Sequence, residues 1–330
     1  MSVLLALVAV CLLAALGYAG GQVEGLRWIF GAVLPYVGIA LFLGGIVYRV
    51  LRWASSPVPF RITTTAGQQR SLPWIRQAKF DSPFTPAQTF VRMLLEVLLF
   101  RSLFRNSRFE LRSGPRLIYG EEKWLWLAAI AFHWSFLIVL LRHLRFFMDP
   151  VPACVATLQK IDGFLQIGAP EVLWTGLILT AALLYLLSRR LFQADVRYIS
   201  LFTDYFALFL LLGLAGSGVL MRYFTKTDII AVKQLAIGIV TFSPVVPASL
   251  GGLFFVHLFL LTVLIAWFPF SKLAHMPGVF LSPTRNLPNN NRARRHVNPW
   301  NYPVKVHTYE EWEEEFHDKI VAAGLPLDKE

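Results

Sequence analysis

Residues 124–146 read WLWLAAIAFHWSFLIVLLRHLRF, an apolar run that carries His133 and His143. A bilayer core takes roughly 20 apolar residues as one helix, so the run is read as a membrane span. Ionisable side chains inside lipid are costly and mark function by default. At 100° and 1.5 Å per residue, these two histidines differ by about 80° around a helix and roughly 15 Å along it. A second run, 249–270, carries His257, and His275 follows it. If a helix continues past Pro269, His257 and His275 share one face about 27 Å apart. Each stretch therefore presents one histidine toward each membrane surface.

The rest of the chain supports a membrane reading. Its 330 residues are 56% hydrophobic and 15% charged, with a mean hydropathy of +0.55, well outside soluble globular usage. Apolar runs at 3–19, 29–50, 124–146, 171–188, 200–221 and 249–270 predict an all-α fold, a polytopic helix bundle with six transmembrane helices. Two N-terminal spans (1–50) precede an inner loop (51–123), a four-helix core (124–275) and a C-terminal tail (276–330). Ala15-Leu16-Gly17-Tyr18-Ala19 imitates a cleavage site, but no basic n-region precedes it. The first helix is therefore read as retained.

Charge sets the orientation. The net charge is +11, and 24 of the 31 Lys and Arg fall in the loop from Arg49 to Lys123, between the fourth and fifth spans, and in the tail. Positive charge marks the cytoplasmic side, which places both termini inside a bacterial-type inner membrane. The basic excess is thus read as topology, with no nucleic-acid partner. Within the inner loop, 90–104 is read as an interfacial helix, with Arg101, Arg105, Arg108 and Arg112 as a basic stripe at helical spacing. Thr308 and Glu311 form a capping-box signature that opens a short acidic helix over 308–323. With Trp300, Tyr302 and Trp312, this tail reads either as a solvated appendage or as a docking strap.

Only Cys11 and Cys154 occur. They cannot ligate an Fe–S cluster or attach haem c, so any such centres belong to a partner.

The third span runs outward and the sixth inward, so His143 faces His257 near the outer surface and His133 faces His275 near the inner one. Each pair can supply two axial imidazoles to a haem iron, a closed coordination that favours electron transfer. The expectation is two b haems. Arg142, Arg145 and Arg222 are candidate propionate partners at the outer haem and Lys272 at the inner one; each also reads as a snorkelling interface residue. Phe132, Trp134, Phe146, Phe147, Phe254, Phe255 and Phe259 are candidate pocket walls. Quinone chemistry needs proton-transferring groups beside a haem, and Lys160 and Asp162 are the candidates. Two other classes stay open: a haem-free transporter or channel with a histidine proton relay, and a passive membrane anchor for a soluble enzyme.

The blocks Phe132-His133-Trp134 to His143 and Phe255-Val256-His257 to His275 resemble the respiratory nitrate reductase gamma-type cytochromes, which carry histidine pairs at these spacings. Trp53–Phe60, Leu98–Asn106 and Asn298–Thr308 are similar to the DsrM family, cytochrome b subunits of DsrMKJOP complexes in dissimilatory sulfur metabolism. That resemblance implies two b haems, a menaquinone or ubiquinone site and a DsrK-like cytoplasmic Fe–S partner. It further implies a DsrJ-like multihaem cytochrome c, a DsrO-like Fe–S subunit and a DsrP-like membrane subunit.

Overall fold

The computed structural model describes residues 1–56, 67–104, 108–114, 116–165, 170–282, 284–291, 293–294 and 307–328. Among the described residues, six helices are long and apolar enough to cross a membrane: Ser2–Gln22, Glu24–Ala54, Lys123–Phe146, Trp174–Phe192, Phe202–Thr225 and Gly252–Phe270. They are numbered here as spans in chain order. The membrane part is all-helical, as the sequence requires, and the chain is a multi-pass membrane protein.

The sixth span is the hub, packing on the first, second and fifth, while the fourth bridges the fifth to the third. Glycines allow the closest of these contacts. A Cβ on Gly17 of the first span would stand 3.1 Å from the Phe255 carbonyl oxygen, and one on Gly21 would stand 2.5 Å from the Phe255 ring. The first span is thereby keyed into the bundle, with Ala6 and Val10 buried. Val10, Leu183, Leu210, Leu211, Leu214, Leu260 and Leu264 form the central core, and Phe132, Phe136 and Val139 of the third span pack against it. This apolar layer lies between the two histidine levels.

The sixth span does not continue as expected. Its α-helix ends at Trp267, one 3-10 turn covers Phe268–Phe270, and Ser271 is extended. Pro269 cannot donate to the helical ladder. Arg49 of the second span bonds the freed Pro269 carbonyl and, at 2.8 Å, that of Ser271. His275 is therefore delivered by a turn, as the residue preceding the short helix Met276–Leu281.

The loop between the second and third spans also departs from expectation. Its helix runs Pro86–Leu99, capped by Thr85, and stops where Phe100 takes a left-handed conformation (φ 49, ψ 44). One helical turn follows at Arg101–Phe104. Arg108–Arg112 is then a strand, antiparallel to Arg116–Gly120, with Arg108 opposite Gly120. The basic stripe at helical spacing is thus not on one helix. Arg-Phe-Glu-Leu-Arg alternates with period two, which is the strand pattern, and Gly114 supplies the positive φ of the turn. Arg105 lies outside the described residues.

Pro86–Leu99 is amphipathic in an inverted sense. Thr89 and Arg92 face the protein and are buried, whereas Phe90, Val91, Leu94 and Leu98 are exposed. The tail returns to this loop: Asn289 Nδ2 donates to Ser82 Oγ at 3.1 Å, and Arg285 pairs with Glu96 at 3.0 Å. The predicted tail helix is present as Tyr309–Ala322, with the Thr308/Glu311 capping box formed. Trp300, Tyr302 and the stretch 298–306 lie outside the described residues, as does 57–60.

Candidate functional site: two facing histidine pairs

The pairing inferred from antiparallel spans is the pairing found. The rings of His143 and His257 lie 6.5 Å apart between centroids and nearly parallel, at 10°. Those of His133 and His275 lie 5.9 Å apart and nearly perpendicular, at 83°. A ligating imidazole nitrogen sits about 2 Å from its metal and the ring centre about 1 Å further, so two imidazoles on opposite sides of one ion place their centres about 6 Å apart. Both pairs match that separation.

The second nitrogen of each ring is held. His133 Nδ1 contacts the Ala129 carbonyl at 2.7 Å, and His143 Nδ1 contacts the Val139 carbonyl at 2.7 Å. His275 Nδ1 contacts the Lys272 carbonyl at 3.2 Å. A carbonyl only accepts, so each Nδ1 carries the proton and each Nε2 keeps its lone pair. For His257 the partner is Ser217 Oγ at 2.8 Å. That hydroxyl donates its own proton to the Leu214 carbonyl at 3.0 Å, so it accepts from His257 as well. Four imidazoles are thus oriented and tautomerically fixed with Nε2 available, the arrangement expected of metal-ligating histidines.

The surroundings fit a flat apolar macrocycle. Phe132 and Phe100 each place a ring 4.9 Å from that of His133, edge-on, and Phe146 lies 5.8 Å from His143. On the fifth span, a Cβ on Gly218 would come 3.6 Å from His257 Cε1, and one on Gly216 would meet nothing within 4 Å. These glycines keep that helix face open beside the His143/His257 pair. Phe254 and Phe255, also expected as walls, instead anchor a second core cluster with Leu235 and Leu250. Phe259 packs against Phe30, ring centroids 5.0 Å apart and tilted by 57°.

Beside His143 and His257 the candidate cations are organised into a network. Arg142 Nε stands 3.0 Å from Asp162 Oδ2, both side chains buried. Thr175 donates to the same carboxylate, from N at 2.8 Å and from Oγ1 at 2.6 Å. Arg145 donates to Gln159 Oε1 at 2.5 Å, and Gln159 donates in turn to Glu171 at 3.0 Å. Arg222 donates to the Glu171 carbonyl at 3.0 Å, while its buried Nε has no hydrogen-bond partner. Asp162 is thus joined to Arg142 and Thr175, whereas Lys160 is exposed. On the other side, Lys272 Nζ sits on Asp204 at 3.0 and 3.2 Å. Its contribution to the site is the backbone carbonyl that orients His275.

Several residues around the histidine pairs are not singled out by the sequence. Ser217 has a signal in retrospect: it is a polar side chain in the small-residue run Gly213-Leu214-Ala215-Gly216-Ser217-Gly218, which marks close approach. Lys233, on the helix Ile229–Val240 between the fifth and sixth spans, pairs with Asp149 at 3.1 Å. That helix packs on Leu144–Phe146, next to His143, a proximity that spacing alone does not show. Phe100 carries no sequence signal of proximity to His133.

Residues 90–290, which include all four histidines, match the family model for the nitrate reductase gamma subunit. The chain belongs to the nitrate reductase gamma family. It is also similar to the "Hdr-like menaquinol oxidoreductase cytochrome b-like subunit" of Archaeoglobus fulgidus, with 49% identity over 279 residues, 82% of this chain and 83% of that protein. The protein of the same description from Archaeoglobus profundus is 46% identical over 280 residues, 83% of this chain and 82% of its own length. The nitrate reductase gamma match begins after the first two spans, whereas the Archaeoglobus matches extend over more than four fifths of the chain.

Proposed function

We propose that this chain is a di-haem b-type cytochrome that takes electrons from a membrane quinol and passes them to a cytoplasmic Fe–S partner. The observation that carries this reading is the pair of facing histidine sets, each at metal-bridging separation with Nε2 left free. His143 and His257 would hold one haem b, and His133 and His275 the other. When bound, haem supplies a one-electron carrier at each level. The protein's part is to fix the rings through their Nδ1 partners and to keep water out with Phe132, Phe136 and Val139. Arg145 and Arg222 present cations to propionates beside His143, and Arg142 is positioned for the same role by Asp162 and Thr175.

The names of the two Archaeoglobus relatives favour menaquinol as the donor over ubiquinol. We place the quinol site at the His143/His257 end, which charge asymmetry makes the outer one. Oxidation there releases protons outside while electrons move inward. Lys160 is the proposed proton-transferring group of that site, and Asp162 acts through the orientation of Arg142. With two cysteines only, the acceptor centre belongs to a partner docked on the inner loop and tail. Together with the DsrM resemblance, this supports the reading of a subunit of a DsrMKJOP-type sulfur complex with DsrJ-, DsrO- and DsrP-like partners.

The test is haem content and reduction by a menaquinol analogue in purified, haem-replete protein. Two haems per chain are expected, falling to one in His143→Ala, with quinol-driven reduction abolished. A haem-free wild type would favour a histidine proton relay, and an unchanged His143→Ala protein would favour a passive anchor.

A further inference from the structure

The helix Pro86–Leu99, which ends at Phe100 against His133, carries a buried cation that the function described so far does not use. Arg92 is 3% exposed, and its Nε and one terminal guanidinium nitrogen have no hydrogen-bond partner among the described residues. Its cationic neighbours are all engaged. Arg101 pairs with Asp81 at 2.5 Å, and Arg285 pairs with Glu96 at 3.0 Å while bonding Ser102 Oγ at 2.5 Å. Arg49 holds backbone carbonyls, and Lys272, the cation expected from sequence to serve this pair, is on Asp204. Burial pushes the Arg92 guanidinium pKa down and Arg285 adds to that, with Glu96 and Asp81 acting against them. A guanidinium kept in such a place is costly unless an anion meets it.

Its position points to which anion. Arg92 lies on the inward, polar face of Pro86–Leu99. That helix ends at Phe100, whose ring stands 4.9 Å from His133. The end of the helix is fastened to the third span by Trp134 Nε1 donating to the Leu98 carbonyl at 3.1 Å and Trp126 Nε1 donating to the Leu99 carbonyl at 2.7 Å. Glu96, one turn beyond Arg92, is tied to Ser102, which follows Phe100 by two residues. The helix that carries Arg92 thus ends beside His133, with its polar face continued by Glu96 to Ser102 just past Phe100. A b haem brings two carboxylates to its site, and planar guanidinium is the side chain best matched to a carboxylate.

We propose that Arg92 is a propionate-binding residue for the haem held by His133 and His275. It meets one carboxylate from the loop side, beyond Phe100. This assignment rests on the reading of His133 and His275 as haem ligands. The inverted amphipathic helix then has a purpose on each face: its apolar side contacts the surroundings and its polar side supplies the counter-charge.

The experiment compares full-length wild type, Arg92→Gln and Arg92→Lys by potentiometric titration followed by EPR. Redox-difference infrared spectra of haem labelled with 13C at the propionates complete the set. In Arg92→Gln the potential of the His133/His275 haem is expected to shift downward, because a cation that favours the reduced state is lost, with the other haem unmoved. The labelled carboxylate bands should shift too, and Arg92→Lys should restore the potential toward wild type. Unchanged potential and bands with both haems present would overturn the proposal. So would equal shifts of both haems, or loss of a bound partner alone. If Arg92→Gln fails to assemble, the labelled bands of Arg92→Lys decide, and bands identical to wild type refute the contact. A wild type lacking the second haem would instead remove the ligand reading on which this rests.

Discussion

His257 and His143 lie nearly parallel and His133 and His275 nearly perpendicular, and this difference between chemically identical pairs has a measurable consequence. The angle between axial imidazole planes sets the anisotropy of a low-spin ferric haem. The His133/His275 haem should therefore give the highly anisotropic EPR signal with large gmax, and the His143/His257 haem a conventional rhombic one. EPR of the oxidised protein, with His143→Ala to assign the signals, checks this; two identical signals would contradict the ring geometry. Asp162 offers a second residue-level test. Its carboxylate is the counter-charge of buried Arg142, and removing one partner of a buried pair costs about 3–5 kcal/mol because the other charge is stranded. Asp162→Ala should lower the Tm and lose the His143/His257 haem first, since Arg142 adjoins His143. Asp162→Asn, which can still accept from Thr175, should lose less. Equal loss of both haems would show a general folding defect.

Pro86–Leu99 turns its polar side inward and leaves Phe90, Val91, Leu94 and Leu98 exposed, the reverse of a surface helix in water. Apolar residues placed this way are stable where the surroundings are apolar, as at the boundary of headgroups and acyl chains. A spin label at Phe90 or Leu94 in reconstituted protein should accordingly be relaxed more by oxygen than by a water-soluble nickel chelate, and one at Arg76 should show the opposite. Preference for the nickel chelate at both sites would place the helix in water or under a partner. The helix itself was legible in the sequence, but its end was not. The 90–104 run reads as continuous until Phe100 turns left-handed, and the strand 108–112 shows only as a five-residue alternation that helical spacing of arginines overrides. His275 follows the same logic. Its pairing with His133 was legible from spacing and antiparallel direction, whereas its delivery by a turn depends on Arg49, more than 200 residues away in sequence, holding the Pro269 and Ser271 carbonyls left open where the helix ends.

At the scale of the whole molecule, the two levels of histidine are useful only if the bundle has a fixed sense across the membrane. Apolar length gives the number of spans directly, because lipid admits only helices with internally satisfied backbones. Sense depends on the weaker signal of where Lys and Arg fall, and that signal is diluted by the long loop after the second span. The tertiary network adds an independent handle. Cys154 is exposed on the helix Ala153–Asp162, between the third and fourth spans, while Cys11 lies inside the first span. If the termini are cytoplasmic, Cys154 faces outward on the same side as His143, His257 and the Arg142–Asp162 pair. A membrane-impermeant maleimide added to intact spheroplasts should then label the protein, and Cys154→Ser should abolish that labelling while Cys11→Ser leaves it unchanged. Labelling of Cys154 only in inverted vesicles would reverse the molecule. The His143/His257 pair would then be the cytoplasmic one, and quinol oxidation beside it would release protons inside, removing the contribution to membrane potential that the proposed wiring provides.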